Sequence, residues 1–322
     1  MVGHRLLFGA WLFGLASVSK REVDTGRQAF RLLSLGFLIG VGLVLGVGAS
    51  LPDGRLHMVV CDVGQGDAIL LTFRSRQILV DGGPDDRVVD CLSRHMPFWD
   101  RALEVIVLTH PQADHMNGLV DVLRRYDVSE VFLTGATNTT DGFMAFKAAV
   151  LQEGASLHFA RRGDEIRLEP LALTVVWPKA AIGTLASFRK EAIDAAVLGE
   201  TTATDVNETS VVLLAQFGTF RALMTGDIGI DTEQALLRSG ALNRVDVLKV
   251  AHHGSKYATS SDFLSVIRPQ LALISAGKKN RYGHPTSDTL MRLDSVGAEI
   301  LRTDERGDIE IMSNGEDYWV LE

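Results

Sequence analysis

From Leu56 onward the chain alternates apolar and polar positions in short runs: LHMVVCDVG, DAILLTF and RQILVDGG, each bounded by glycine or charge. A two-residue period is that of a β-strand, and three such runs in succession predict a strand meander. The segment from Asp85 to Met96 suits a helix, EVIVLTH a strand, and HMNGLVDVLRRY a helix. Later strand-like runs are VSEVFLT, LALTVVW, TSVVLLAQF, FRALMTGD, VDVLKVAHHG and LALISAG. Helices are expected around Thr232 to Ser239, Ser260 to Ile267 and Ser287 to Ser295. The C-terminal DIEIMSNGEDYWVLE reads as a hairpin turning at Asn314 and Gly315. Strands and helices interleave without a repeat, which is the pattern of an α/β fold.

The N-terminal part follows a different pattern. Leu32 to Pro52 contains no charged residue over 21 positions. At about 1.5 Å per helical residue, this length matches a hydrocarbon core of about 30 Å. We therefore expect an N-terminal membrane segment over 1–54 with a transmembrane helix at about 32–52, and a separate domain over 55–322. Leu6 to Ser19 is apolar but too short to span alone. Lys20, Arg21, Arg27 and Arg31 precede the span, so the positive-inside rule places the following domain outside the cytoplasm.

Composition sharpens this picture. Residues 55–322 carry 27 Lys/Arg against 37 Asp/Glu, which argues against a broad basic surface for a polyanion and leaves room for a local one. Six cations, Arg161, Arg162, Lys256, Lys278, Lys279 and Arg281, are the candidates for a narrow positive track. The two cysteines, Cys61 and Cys91, read as buried thiols; their spacing leaves a disulfide open. Neither belongs to a CxxC pair, so zinc-finger and thioredoxin chemistry lack support.

Candidate chemistry lies where strands end. Four β runs finish in Asp or His, at Asp81, His110, Asp227 and the pair His252 and His253. Loops beyond strand ends are where a rigid sheet presents ligands. The densest cluster is His110, Asp114 and His115 in THPQADHMNG, a turn leading into a helix, where imidazole nitrogens and carboxylates can converge on a divalent cation. In DVGQGDA, Gly64 and Gly66 suit a tight turn in which Asp62 and Asp67 bond turn amides; a functional reading puts Gln65 and Asp67 at a cleft rim. No dinucleotide-binding or Walker arrangement follows a strand.

Taken together, these strand-end residues resemble the metallo-β-lactamase superfamily. Asp81 in ILVDGG, His110, Asp114 and His115 in the following loop, Asp227 in LMTGD and His253 in AHHGS match its motifs in order. Within it, DVGQGDAILL, THPQADHMNGL, VLKVAHHGSKYATS and NRYGHP resemble the extracellular domain of the ComEC-type competence proteins, which are DNA-uptake channels, over residues 57–322. The resemblance implies an αββα four-layer sandwich, here preceded by the membrane helix, in a stand-alone or truncated relative of the channel. It also implies one or two divalent ions, Mn²⁺ or Zn²⁺ with Mg²⁺ as a further option.

Two departures bear on the ligands. Gln112, a neutral oxygen ligand, stands where the superfamily has its second His, and Asn207 in DVNETSVVLL falls near the third motif. The resemblance thus implies a stronger site from Asp114, His115, Asp227 and His253, and a weaker one from His110, Gln112, Asn207 and Asp227, with Asp227 bridging. Asp81 would orient a ligand or the attacking water. Asp114, His252 and His284 join it as catalytic candidates, the two histidines holding phosphate or protonating the leaving group. Ser255, Lys256 and Asp67 are the substrate-binding candidates.

The expected activity is hydrolysis of DNA phosphodiesters, acting on the strand that is not imported. The expected partners are single-stranded DNA, the membrane and a separate channel subunit. Two other classes remain open: a hydrolase of another ester, such as a phosphorylcholine ester or a lactone, and a metal-poor binding module.

Overall fold

The computed structural model describes residues 30–42, 52–182, 188 and 205–321. The chain divides into two compact units, Met1–Leu51 and Pro52–Glu322. In the first, the described residues form helix α1 (30–42), which leaves Phe30, Leu33 and Phe37 exposed. Among the described residues no helix is long and apolar enough to cross a membrane. The remainder of the expected span, residues 43–51, lies outside the described residues.

The second unit contains fifteen described strands: β1 (Leu56–Val60), β2 (Ile69–Phe73), β3 (Arg76–Val80), β4 (Ala102–Leu108), β5 (Asp127–Leu133), β6 (Ser156–Phe159), β7 (Glu165–Leu168), β8 (Leu171–Trp177), β9 (Val212–Phe217), β10 (Phe220–Met224), β11 (Val247–Lys249), β12 (Leu271–Ile274), β13 (Glu299–Arg302), β14 (Ile309–Ser313) and β15 (Tyr318–Leu321). They form two sheets, one ordered β15-β14-β1-β2-β3-β4-β5-β6 and the other β13-β12-β11-β10-β9-β8-β7. The predicted meander is the antiparallel β1–β2–β3, and the predicted terminal hairpin is β14–β15.

Alternation along the strands builds the layers. Leu56, Met58 and Val60 of β1 face the core between the sheets, together with Leu213, Ala215 and Phe217 of β9 and Leu271 and Leu273 of β12. The intervening residues point outward: Val59 meets α2 (Arg87–His95), α3 (Ala113–Leu123) and α4 (Asp141–Glu153) in one outer core. Leu214, Ala272 and Ile274 meet α5 (Ile230–Ser239), α6 (Ser261–Ile267) and α7 (Ser287–Ser295) in the other. A short helix, α8 (Thr303–Arg306), follows β13. Because both sheets bury both faces, the described part of this unit has four layers in the order helix, sheet, sheet, helix.

Cys61 and Cys91 are not free thiols. They form a disulfide, with Cα atoms 5.9 Å apart, that ties the end of β1 to α2 inside the first outer core.

Candidate metal centre

Strand ends from both sheets supply the centre. Asp81 follows β3, His110 follows β4 by two residues, Asp227 follows β10 by three, and His252 and His253 follow β11. Asp114 and His115 sit in the first turn of α3, whose position is set by close backbone packing. Gly118 donates to the Gly83 carbonyl at 3.0 Å, and a Cβ on Gly118 would stand 2.0 Å from the Gly82 oxygen. Gly66, at φ +135°, likewise lies so close that a Cβ would be 2.0 Å from the Asp114 oxygen. Only glycine permits both approaches.

Three of the six described non-glycine residues with positive φ are Asp81 at +60°, His252 at +48° and His253 at +53°. Such left-handed backbone costs of order 1–2 kcal/mol per residue, and its concentration at one place marks side chains aimed by their surroundings.

Hydrogen bonding decides which imidazole nitrogens are bare. The Asp81 carboxylate accepts from Thr109 N–H at 2.8 Å and Thr109 Oγ1–H at 2.7 Å, and faces His115 Nδ1 at 2.8 Å. His115 therefore carries its proton on Nδ1 and presents the Nε2 lone pair. His253 Nδ1 donates to the Ser275 carbonyl at 3.0 Å, again freeing Nε2. For His110, the neighbours of Nδ1 are Thr109 Oγ1 at 3.1 Å and Ser210 Oγ at 3.3 Å. Both hydroxyl protons are already committed, Thr109 to Asp81 and Ser210 to the Asn207 carbonyl, so Nδ1 donates and Nε2 is bare here too.

These nitrogens converge on Asp227. His115 Nε2 and His253 Nε2 each lie 3.3 Å from Asp227 Oδ2, and His253 Nε2 lies 3.6 Å from Asp114 Oδ2. Ligand atoms of His110, His115 and Asp227 fall within 4.8 Å of one another, as do those of Asp114, His115 and His253. The Nε2 atoms of His110, His115 and His253 and the Oδ1 of Asp227 are buried without a hydrogen-bond partner. Buried polar atoms are rarely left so, and these residue types match the ligands of Zn²⁺ and related divalent ions. The residues therefore fit a metal ion. His115 belongs to both groups, so its sharing, as well as that of Asp227, relates the two expected sites.

The field at the centre favours positive charge. Burial alone lowers a histidine pKa, yet Asp227 with Asp81 holds His115, and Asp227 with Asp67 holds His253, well above the ordinary value. Burial opposes ionisation of Asp227, but His253 and His115 keep it well below the carboxylate range. His110 is driven the other way, down to about 3, by burial and by His115. A divalent cation satisfies the same carboxylates while leaving the nitrogens unprotonated.

The other candidates are placed as follows. Gln112 Nε2 donates to Asn207 Oδ1 at 2.5 Å, so these two amides lie side by side. His252 is partly exposed, with Nε2 4.0 Å from Asp227 Oδ2. His284 is half-buried, its Nδ1 has no partner, and its ring centre is 5.7 Å from that of His252. Lys256 is exposed over the Tyr257 ring. Ser255 is buried, and its Oγ accepts from the Tyr257 amide at 3.3 Å, which shapes the loop.

Asp67 is not at the cleft rim. It is 1% exposed, pairs with Lys249 Nζ at 2.6 Å and lies 3.3 Å from His253 Nδ1, because a carboxylate this deep requires a counter-charge. Lys249, Thr109, Ser210 and Ser275 are the contributors that sequence reasoning missed. The one available signal was a lone lysine at an inward position of the apolar run VLKV. Of the expected positive track, Arg161 pairs with Asp164 at 3.3 Å and Arg162 donates to the Ser239 carbonyl at 3.4 Å, both engaged locally.

Comparison with known proteins places this geometry. No model of a known protein family matches the chain. It is 30% identical over 276 residues to ComE operon protein 3 of Bacillus subtilis, covering 80% of this chain and 33% of that protein. It is 28% identical over 254 residues to Recombination protein 2 of Haemophilus influenzae, covering 78% and 28%. Competence protein ComA of Neisseria gonorrhoeae is 25% identical over 271 residues, covering 81% and 33%. The chain thus spans about a third of the length of these relatives.

Among solved structures, the metallo-β-lactamase fold protein YhfI from Bacillus subtilis superposes with a TM-score of 0.50 at 10% identity, over 83% of this chain and 100% of that one. CmlA, a diiron β-hydroxylase from Streptomyces venezuelae, gives 0.52 at 14% identity, over 78% and 53%. The protein has a metallo-β-lactamase-like fold and is a homologue, over one part of their length, of ComE operon protein 3, Recombination protein 2 and competence protein ComA.

Proposed function

We propose that this chain is a metal-dependent phosphodiesterase that cleaves single-stranded DNA from a membrane-anchored position outside the cytoplasm. The observation that carries the reading is the convergence of three bare, buried imidazole nitrogens on Asp227 in a homologue of competence proteins. His110, His115, Asp114, His253 and Asp227 would hold the metal. Its contribution is Lewis acidity and activation of water for attack on phosphorus. Imidazole-rich, carboxylate-containing ligation favours Zn²⁺ or Mn²⁺ over Mg²⁺.

The remaining roles belong to the chain itself. Asp81 fixes the tautomer and ring orientation of His115, and the Ser275 carbonyl does the same for His253. The Lys249–Asp67 pair sits behind His253 and sustains its electrostatics. His252 and His284 line the accessible side, where their ring nitrogens can bond phosphoryl oxygens or pass a proton to the leaving oxygen. Lys256 adds a cation at the rim.

The apolar stretch 32–52 supports an anchor, and the Cys61–Cys91 disulfide fits an oxidising compartment. A channel subunit of DNA uptake is the partner this reading implies, supported by the similarity to competence protein ComA.

Turnover of the purified protein on single-stranded DNA, a small phosphodiester, a phosphorylcholine ester and a lactone tests the activity. Cleavage of DNA and of the small phosphodiester is expected; turnover of the lactone alone would replace this reading. Reporter fusions at the C-terminus test the topology, with activity of a periplasmic-type reporter expected and activity of a cytoplasmic one contradicting it.

A further inference from the structure

Between Val247 and Ser287 the chain is basic within an acidic protein. This stretch carries six Lys/Arg against the single acid Asp262, whereas the whole chain has a net charge of −8. Lys256, Lys278, Lys279 and Arg281 are its exposed cations on the loops after β11 and β12. Each loop also presents a tyrosine capped by a cation. Tyr257 is 67% exposed with Lys256 Nζ 4.9 Å from its ring centre. Tyr282 is 54% exposed with the Arg281 guanidinium 5.2 Å from its ring centre and 3.1 Å from its hydroxyl.

Both rings are connected to the metal centre. Tyr282 stacks on His284 at 5.8 Å and 25°, His284 meets His252 edge-on at 5.7 Å, and His252 Nε2 is 4.0 Å from Asp227 Oδ2. The Tyr257 carbonyl accepts from the Ile230 amide at 3.2 Å, at the end of the turn that Asp227 begins. The loops are tied together: Thr286 N–H donates to the Gly254 carbonyl and Thr289 Oγ1 to the Ser255 carbonyl, both at 2.9 Å. Arg292 adds bonds of 2.9 Å to the Ala258 and Thr259 carbonyls. The exposed rings thus stand on a braced frame beside the reacting centre.

We propose that Tyr257 and Tyr282 are stacking platforms for unpaired bases, with Lys256, Lys278, Lys279 and Arg281 taking the phosphates of the same strand. An exposed ring beside a basic loop grips a single strand because every unpaired base offers a π-face, while a duplex keeps those faces stacked. The pairing of ring and cation makes the grip tolerant of sequence and sensitive to salt. This inference rests on the phosphodiesterase reading above and specifies how that substrate is held.

The test is binding of a fluorescent phosphorothioate oligothymidylate to the intact, metal-loaded protein, compared with the same oligomer containing abasic positions. Tyr257→Ala and Tyr282→Ala should each weaken binding about tenfold, whereas Tyr257→Phe and Tyr282→Phe should bind nearly as wild type. Abasic positions should weaken the wild type and the phenylalanine variants but not the double alanine variant, whose melting temperature should equal that of the wild type. Unchanged affinity and unchanged base dependence in the double alanine variant would overturn the proposal while leaving the phosphodiesterase reading intact. A wild-type protein that hydrolyses a small ester but neither binds nor cuts any oligonucleotide would instead overturn the reading beneath it.

Discussion

Asp81 accepts two hydrogen bonds from Thr109 and one from His115, so its carboxylate decides which nitrogen of His115 is bare. Asp81→Asn replaces an acceptor oxygen with an amide that cannot serve all three donors. Metal affinity should fall roughly 10–100-fold, as read by calorimetric titration with Zn²⁺ or Mn²⁺, with the fold retained. The buried Lys249–Asp67 pair makes a different demand. Lys249→Met strands the Asp67 carboxylate and should cost about 3–5 kcal/mol in urea unfolding, part of which Asp67→Asn in the same chain should restore. The ligands were legible as residues because His and Asp recur at strand ends. Their supporting hydroxyls, carbonyl and lysine were not, since Thr109 and Ser275 acquire a role only when neighbouring strand ends of one sheet lie side by side, and Ser210 only when the two sheets meet.

Among the described α-helices, α3 is the one that carries ligands, and backbone contact sets its position. Gly118→Ala would place a methyl 2.0 Å from the Gly82 oxygen and 2.3 Å from the Asp85 oxygen. Overpacking of this kind costs about 1–3 kcal/mol. Because Asp114 and His115 ride on the same helix, metal affinity should fall along with the melting temperature, and calorimetry of both quantities checks the link.

A second device joins α2 to β1 and β14. His95 lies 3.0 Å from Asp308 and 3.3 Å from Glu310, and Glu310 also bonds His57 at 2.7 Å. Hydrogen bonds to Asp308 and Glu310 raise His95 from its ordinary 6.5 to about 9. Its contribution to stability is therefore complete below 6.5 and disappears as pH rises through about 9. Asp308 and Glu310 are held down to about 2, Asp308 against its burial, so their contribution disappears only as pH falls through about 2. The stability difference between wild type and His95→Gln should be large at about pH 6 and small at about pH 9.5, as measured by denaturant midpoints.

The meander, the terminal hairpin and helices α5 to α7 followed from periodicity. Helix α4 did not: in DGFMAFKAAVLQE the apolar Ala145, Ala148 and Leu151 lie on the exposed face and Lys147 on the buried one, so the sequence shows no clean polar stripe. Strands β6 (SLHF), β7 (EIRL) and β13 (EILR) mix polar and charged residues into four positions and so form no apolar run, unlike the equally short β12 (LALI).

At the scale of the whole molecule, the four layers were legible once motif order suggested them. Interleaved strands and helices alone fix α/β and no more. The pairing of Cys61 with Cys91, 30 residues apart, depends on α2 lying across β1 and was beyond reach of spacing. The layered frame brings strand ends of both sheets to one place, the proposed metal centre for DNA hydrolysis. The most direct measurement is metal content and single-stranded DNA cleavage by the purified protein after chelation and after reloading with Mn²⁺, beside Asp227→Ala and His115→Ala. Reloading is expected to restore bound metal and cleavage in the wild type, and both variants are expected to lose them. Equal cleavage by the variants, or by the chelated protein, would contradict metal-dependent hydrolysis at this centre.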